Sequence, residues 1–174
     1  MDIEAYAYEE EPKSISHETT FDADTADGEE VERTLSYLNQ LVAQRLRDHK
    51  LFARTVGLKL RYTGFETLTR DVTLDEPTHL DSVIFANVLR LLDNAWNRRR
   101  KVRLVGVRAS NLERAVFQLN LLEAPKREKL DRVFNAADKL RARYGFDAVK
   151  LASSLEPGED PAQRKPRRRF LGRE

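Results

Sequence analysis

The stretch TVGLKLRYTGFETLTRDVTL, residues 55–74, decides how the chain folds. From Val56 to Tyr62 apolar and polar side chains alternate, which is the pattern of a strand that buries one face. Thr63-Gly64 predicts a turn, and the Thr-rich run Glu66–Leu74 predicts a second strand that pairs with the first as a hairpin. Pro77 is expected to end that strand, because proline has no N–H to donate to a sheet.

The sequence before the hairpin predicts a strand followed by a helix. Lys13–Phe21 alternates between apolar and polar residues and predicts the first strand of the sheet. Asp22–Gly28 predicts a turn whose Asp and Thr side chains cap the next helix. Glu29–His49 predicts that helix, because its apolar residues return every three or four positions. The apolar stripe consists of Val31, Leu35, Leu38, Val42 and Leu46.

The sequence after the hairpin repeats the pattern of a helix and a strand. Leu80–Asn97 predicts the second helix, and Lys101–Arg108 predicts the fourth strand. The predicted order is β-α-β-β-α-β, which is typical of an α+β fold with two layers. We expect a four-stranded antiparallel sheet that carries two helices on one face and leaves the other face free.

Changes in composition divide the chain into five segments. The first carries five carboxylates and no base, and the last carries Pro, Gly and six bases, which is typical of disorder. The segments are an acidic linker at 1–12, the α+β domain at 13–112, a connector at 113–125, a helical extension at 126–155 and a basic disordered tail at 156–174. The helix of the extension is expected over Lys126–Tyr144, ending at Gly145. Its predicted buried stripe is Leu130, Val133, Phe134, Ala137, Leu140 and Tyr144.

The composition excludes several classes of protein. With 31 basic and 29 acidic residues, the net charge of +2 gives the chain no general attraction to nucleic acid, so any such affinity needs an uneven distribution of charge. There is no cysteine, which excludes disulfides and thiolate metal sites. No run reaches the roughly 20 apolar residues that a membrane span needs.

The side chains predict no catalytic or metal site. His17, His49 and His79 fall on different elements without the spacing of metal ligands. Asp22–Gly28 departs from a calcium loop, because its third carboxylate and its glycine each come one place late; a helix-capping turn is the better interpretation. The carboxylates are expected mainly in the linker, in the first turns of helices and on outer helix faces. We therefore predict no catalytic residue, metal or cofactor for this chain.

The free face of the sheet is the candidate binding surface. It is expected to present hydroxyls, bases and backbone amides, which can hold phosphate oxygens without reading a base sequence. The run Asn97–Arg108 adds six bases without an acid. An ordinary solvated sheet face, which would mix the two signs of charge more evenly, is the alternative. The candidate DNA-binding residues are Lys13, Ser14, Ser16, His17, Lys59, Arg61, Thr67, Thr69, Arg70, Arg103 and Arg108.

Strict alternation leaves open how three of the arginines are oriented. Arg70 falls on the strand face opposite to Thr69, and Arg103 and Arg108 fall on opposite faces of their own strand. Gly106, which lies between them, predicts a bulge that turns Arg108 toward the other face.

Several separated motifs resemble one protein family. Lys13–Phe21 (KSISHETTF), Thr69–Leu74 (TRDVTL) and Val102–Leu112 (VRLVGVRASNL) resemble the little finger of Y-family translesion DNA polymerases, and bacterial DNA polymerase IV is the most similar branch. Lys126–Arg132 (KREKLDR) and Arg143–Val149 (RYGFDAV) resemble the C-terminal extension of that branch. The resemblance implies the same β-α-β-β-α-β fold, and a domain that binds template and primer backbones from the major-groove side.

The resemblance also implies what the chain lacks. In this family the palm, fingers and thumb carry the metal-binding carboxylates and the nucleotide site, so this chain alone is not expected to polymerise DNA. The parent polymerase would use Mg²⁺. The implied partners are primer–template DNA, the missing polymerase core and the bacterial sliding clamp, in the cytoplasm with the nucleoid and away from any membrane.

The predicted connector carries a motif of its own. Phe117–Leu122 resembles the short Gln-Leu-x-Leu motif with which such polymerases bind the sliding clamp. A glutamine amide and leucines on an extended segment can fill an apolar groove, and the alternative is that these leucines contact the third helix. A catalytically inert clamp-binding fragment is therefore the second hypothesis, and a small ferredoxin-like enzyme is a distant third. The candidate clamp-binding residues are Gln118, Leu119, Leu121 and Leu122.

Overall fold

The computed structural model of the protein describes residues 12–114 and 124–155. The elements are β1 (Ser14–Thr25), α1 (Gly28–Asp48), β2 (Leu51–Tyr62), β3 (Thr67–Thr78), α2 (Asp81–Ala95), β4 (Val102–Arg114), α3 (Ala124–Tyr144) and two short 3-10 turns, Phe146–Ala148 and Ala152–Ser154. The four strands form one antiparallel sheet in the order β1-β4-β2-β3. The predicted β-α-β-β-α-β order and the α+β fold class are confirmed.

The apolar core lies between the sheet and the helices α1 and α2. The predicted stripe of α1 is buried along its whole length, from Val31 to Leu46. It meets the inward face of β2, where Leu58 and Leu60 are each 1% exposed. Asp27 caps α1 as predicted, because its Oδ1 accepts the backbone N–H of Glu29 at 2.9 Å. Both helices therefore cover one face of the sheet, and no element of the described residues covers the other, open face.

The strands are longer than the sequence predicts. β1 continues to Thr25 after an irregularity beyond Thr20, so only the end of the predicted turn at Asp22–Gly28 is a turn. Pro77 does not end β3 as expected: it lies within the strand, next to a break in the register with β2. β3 is an edge strand of the sheet, where a missing N–H leaves no partner unpaired.

The C-terminal extension packs differently from the prediction. Phe134 is buried, but Val133, Leu140 and Tyr144 are exposed, so that part of the predicted stripe is wrong. The described residues of α3 face polar side chains on the outer side of α1 rather than an apolar groove, and Arg141 is among the buried residues. The helix ends before Gly145, whose φ of +93° is the backbone conformation that glycine adopts readily.

Three predicted segments fall wholly or mostly outside the described residues. They are the acidic linker, most of the connector, including the candidate clamp-binding residues Gln118, Leu119, Leu121 and Leu122, and the basic tail. β4 runs two residues into the predicted connector, to Arg114. Within 12–114 and 124–155, no helix is long and apolar enough to cross a membrane.

Candidate nucleic-acid interface

The open face of the sheet consists of four rows of residues that run across the strands. In each row the residues of β1, β4, β2 and β3 lie side by side, in that order. The rows are Ser14, Ser110, Thr55, Thr73; Ser16, Arg108, Gly57, Asp71; Glu18, Gly106, Lys59, Thr69; and Thr20, Leu104, Arg61, Thr67. Most of these residues are serine, threonine or glycine, so the longer charged side chains project beyond their neighbours.

One row carries an ion pair across a glycine. The Nζ atom of Lys59 on β2 lies 2.6 Å from Oε2 of Glu18 on β1, although β4 lies between the two strands. Gly106 is the residue of β4 between them, and a Cβ there would lie 3.0 Å from Cβ of Glu18 and 3.5 Å from Cβ of Lys59. The missing side chain at Gly106 leaves the space through which the pair forms.

The next row repeats this arrangement one strand over. Arg108 on β4 lies 3.3 Å from Oδ1 of Asp71 on β3, and Gly57 of β2 lies between them. A Cβ at Gly57 would come within 2.2 Å of that same Asp71 oxygen. The Asp71 carboxylate therefore lies directly over the glycine, and both ion pairs lie across the sheet surface.

A third cation of the open face has only a neutral partner among the described hydrogen bonds. Arg61 donates from Nε to the hydroxyl of Thr67 at 3.0 Å. Three bases, Lys59, Arg61 and Arg108, thus stand on this face together with two carboxylates. The arrangement can offer cations and hydroxyls to an anion that lies along the sheet.

The structure brings most of the sequence-predicted site residues to this face. Lys13 directly precedes β1 and is exposed. Arg70 pairs with the inward-facing Leu58 and therefore lies on the helix side of the sheet, as the alternation predicts. The residues on the open face are Ser14, Ser16, Lys59, Arg61, Thr67, Thr69 and Arg108.

His17 does not reach the open face. It shares the parity of Ile15, whose side chain is in the core, and it pairs with the buried Val107 of β4. Burial lowers the pKa of the His17 imidazole, and the positive charge of Arg45 on α1 lowers it further. The inclusion of His17 among the face residues is therefore wrong. The alternation of side chains along a strand already assigns it to the inward face, with Ile15.

The predicted bulge at Gly106 is also wrong. Pairing with β1 and β2 is continuous from Leu104 to Ser110, so Arg108 reaches the open face by ordinary alternation. The irregularity of β4 lies at Arg103, because Arg61 pairs with Leu104 while the following residue of β2 pairs with Val102. The Arg103 guanidinium lies 4.9 Å from the centre of the Phe65 ring and 3.5 Å from an oxygen of Asp24.

Two arginines of the basic run before β4 pair with acidic side chains. Arg98 lies 2.7 Å from Glu32 of α1. Arg100 lies 2.6 Å from Glu66, and this hydrogen bond, with the charge of the arginine, lowers the pKa of the Glu66 carboxyl. The guanidinium of Arg100 also lies 3.9 Å from the centre of the Tyr62 ring. Arg98 and Arg100 are therefore not free cations, although their stretch of sequence contains no acid.

Sequence reasoning left the two carboxylates of the open face out of the candidate binding surface, although the alternation of Lys13–Phe21 places Glu18 on the polar side of β1. Glu18 and Asp71 depart from the expectation that acids lie mainly in the linker and on the helices. The strand alternation could have located both, since Glu18 lies two residues after Ser16 and Asp71 two residues after Thr69, on the same face.

Two of the carboxylates before α1 make structural contacts. Asp27 caps the helix and Asp24 pairs with Arg103, which agrees with the interpretation of this segment as a capping turn. Within 12–114 and 124–155, no cluster of three or more His, Asp or Glu residues could hold a metal ion. The described residues therefore do not fit the pair of Mg²⁺ ions that nucleotidyl transfer needs.

Several known proteins are similar to this chain. It is 38% identical over 147 residues to DNA polymerase IV of Dehalococcoides mccartyi, covering 84% of this chain and 37% of the relative. It is 39% identical over 145 residues to DNA polymerase IV of Moorella thermoacetica, covering 82% and 36%. The chain therefore spans little more than a third of the curated relatives that it matches. A solved complex of the beta-clamp processivity factor and the little finger domain of PolIV aligns with 61% of this chain and 95% of that chain, at 23% identity and a TM-score of 0.49.

The family match covers the domain that carries the open face. Residues 12–121 match the impB/mucB/samB family C-terminal domain, which includes all four strands and both covering helices. The match extends over more than half of the chain, and the relatives described above are DNA polymerases by name. The chain belongs to the impB/mucB/samB C-terminal domain family, the little finger of Y-family DNA polymerases.

Proposed function

We propose that this chain is the DNA-binding little finger of a translesion DNA polymerase and that it binds the backbone of primer–template DNA through the open face of its sheet. One observation carries the proposal: a sheet face that no described element covers presents Lys59, Arg61 and Arg108 among hydroxyls on all four strands. Cations and hydroxyls of this kind bind phosphate oxygens and set the register of a protein on DNA.

The same geometry favours binding without sequence preference. Serine, threonine and glycine fill most of the four rows, and short side chains on a flat sheet do not reach the base edges in a groove. We assign this DNA-binding unit to residues 13–112, followed by the connector at 113–125 and the extension at 126–155. A chain that binds DNA in this way is expected with the nucleoid in the cytoplasm of a bacterial cell.

Fluorescence anisotropy on two duplexes of unrelated sequence tests the proposal. Each neutralised phosphate contributes about −0.9 to the log–log dependence of affinity on salt, so three cations predict a slope of about −3. Arg61→Gln should weaken both duplexes equally and reduce the slope by about one. Arg90→Gln is the matched control, because Arg90 is exposed on α2 in the helix layer, and it should change neither.

Two outcomes would contradict this proposal. One is binding that does not respond to salt or strongly prefers one duplex. The other is an equal loss of affinity in the Arg61 and Arg90 variants, which would place the contact away from the open face.

We also propose that the chain has no polymerase activity by itself and that the polymerase core is the partner that supplies it. Asp27 caps α1 and Asp24 pairs with Arg103, whereas a two-metal site needs several carboxylates together. Purified chain with Mg²⁺, nucleotides and a primed template should give no primer extension. Extension that is abolished by Asp24→Asn would contradict the proposal.

A second candidate function, binding to the bacterial sliding clamp, is favoured by the motif at Phe117–Leu122. Each leucine buried in a groove contributes on the order of 1.5–3 kcal/mol before ordering costs, so losing two removes most of a micromolar affinity. Calorimetry with the clamp should therefore lose its signal on Leu121→Ala/Leu122→Ala, at an unchanged melting temperature. A large drop in melting temperature, with no clamp binding by the wild type, would assign these leucines to the core instead. Clamp binding without measurable DNA affinity would favour the inert regulatory fragment.

A further inference from the structure

We infer that Glu18 and Asp71 are built-in counter-ions of the open face, which a polyanion displaces when it binds. The inference rests on the proposed function, because it names residues that set the affinity of the same face for DNA. It starts from the two ion pairs that cross the sheet, Lys59 with Glu18 at 2.6 Å and Arg108 with Asp71 at 3.3 Å.

Both pairs occupy the place where a phosphate would have to bind. Each carboxylate lies on the sheet surface beside its cation, and each pair crosses the strand between its partners at a glycine, Gly106 or Gly57. A phosphate oxygen that approaches Lys59 or Arg108 from outside meets a cation whose charge is already balanced. Binding therefore exchanges a carboxylate for a phosphate at each of these two cations.

The pairs are also exposed enough for that exchange. The side chains of Lys59 and Glu18 are 33% and 49% exposed, and those of Arg108 and Asp71 are 48% and 38% exposed. Pairs that face water contribute little to folding, because solvent screens the attraction and ordering two side chains costs entropy. A carboxylate released by DNA returns to water at little cost, and the fold does not depend on either pair.

The consequence is a face that selects closely spaced phosphates. A single small anion can replace only one carboxylate and gains little by doing so. A nucleic-acid backbone presents several phosphates at once and can replace both carboxylates, while Arg61 binds without such competition. The two acids hold the affinity down, which suits a domain that must release and rebind DNA as a polymerase advances.

Removing each carboxylate charge tests the inference. Glu18→Gln and Asp71→Asn should each bind both duplexes roughly 2- to 5-fold more tightly than wild type, because the paired cation no longer has to lose a carboxylate before it binds a phosphate. Glu29→Gln is the matched control, since it changes the net charge equally but lies in the helix layer with its side chain 83% exposed. It should change affinity by less than either variant of the open face.

A double-mutant cycle separates release of a cation from a general effect of charge. If Glu18 masks Lys59, Glu18→Gln should lose its gain in a Lys59→Gln background, and Asp71→Asn should lose its gain in an Arg108→Gln background. Circular dichroism and a thermal melt of each variant establish that the fold is retained. Gains that persist without the paired cation would overturn the inference.

The experiment also separates failure of the inference from failure of the proposed function. Wild-type binding that falls with salt, together with Glu18→Gln and Asp71→Asn affinities equal to that of Glu29→Gln, overturns the counter-ion role and leaves DNA binding in place. No binding at low salt by wild type or by the Glu18→Gln/Asp71→Asn double variant overturns DNA binding by this face, and the inference with it.

Discussion

Helix α1 contacts the rest of the molecule on two sides, and the two contacts differ in chemistry. Toward the sheet, it buries the apolar stripe from Val31 to Leu46 mainly against β1 and β4. Away from the sheet, it buries Ser36, Gln40 and Arg47 against the C-terminal extension. One side is stabilised by removing apolar surface from water, and the other by pairing polar groups that have lost water.

The outer contact is specified by hydrogen bonds at single atoms. Oε1 of Gln40 accepts from Arg141 at 2.8 Å and from the backbone N–H of Leu151 at 3.0 Å. Phe146 packs edge-on against Tyr37, with ring centres 5.3 Å apart, and lies under the guanidinium of Arg141. Such a contact tolerates little change, because a buried polar group that loses its partner is costly.

The largest loss of stability is expected where the outer contact meets the N-terminus of α2. Arg47 lies 2.6 Å from Asp81, which is fully buried, and also bonds Asp138 of α3. Arg47→Met should lower the free energy of unfolding by about 3–5 kcal/mol, because it leaves the Asp81 carboxylate buried without its counter-charge. Urea unfolding of the variant and the wild type measures this difference in the free energy of unfolding. The control Arg108→Met breaks a half-exposed pair and should cost about 1 kcal/mol or less.

The pH dependence of the Arg47→Met variant sharpens this prediction. Burial raises the pKa of Asp81, and the charge of Arg47 counteracts that rise. Without Arg47 the carboxyl of the folded chain takes a proton more readily than that of the unfolded chain. The destabilisation should therefore shrink as pH falls below neutral, and a cost independent of pH would show that the buried charge is not its source.

The inner contact should respond to loss of volume instead of loss of charge. Leu35 is fully buried, so Leu35→Ala should cost about 2–5 kcal/mol through lost transfer energy and the cavity left behind. Leu140 belongs to the same type of periodic pattern on α3 but is 47% exposed, and Leu140→Ala should stay within about 0.5 kcal/mol. Equal losses in the two variants would mean that α3 buries its apolar stripe after all.

This contrast explains which parts of the molecule could be predicted from the sequence. Burial against a sheet imposes a period, so the stripe of α1 and the alternation of β2 can be recognised from the residues alone. The outer contact has no period, because Gln40 and Arg47 are placed by partners 101 and 91 residues away. The open face could be predicted in part. Alternation along β2 assigns Lys59 and Arg61 to this face, but the position of Glu18 beside Lys59 depends on the strand order.

A smaller effect is expected from the backbone that joins α3 to the turns of the extension. Gly145 has φ of +93° and ψ of 158°, a conformation that other residues avoid, and a Cβ there would meet nothing within 4 Å. Gly145→Ala should therefore cost about 1–3 kcal/mol through backbone strain alone. Gly64 has equal space for a Cβ without a positive φ, so Gly64→Ala should be nearly neutral in the same thermal melt. A neutral Gly145→Ala would mean that the turns adjust without loss of the outer contact.

The smallest expected effect lies on the inner side, at His17. Its Nε2 is buried without a hydrogen-bond partner among the described residues, and burial together with Arg45 lowers the imidazole pKa from its ordinary value of 6.5. The unfolded chain therefore binds a proton on this residue at a higher pH than the folded chain does. Stability should fall as pH drops through 6.5 toward the lowered pKa, below which this residue causes no further loss.

Unfolding curves between pH 7.5 and about 5 test whether His17, whose imidazole pKa is lowered, causes this loss of stability in acid. His17→Gln removes the titration at similar size and should flatten the profile below pH 6.5. His49→Gln is the matched control, because His49 is exposed after α1, and it should keep the slope of the wild type. Parallel profiles for all three proteins would show that His17 is not the source of the acid sensitivity.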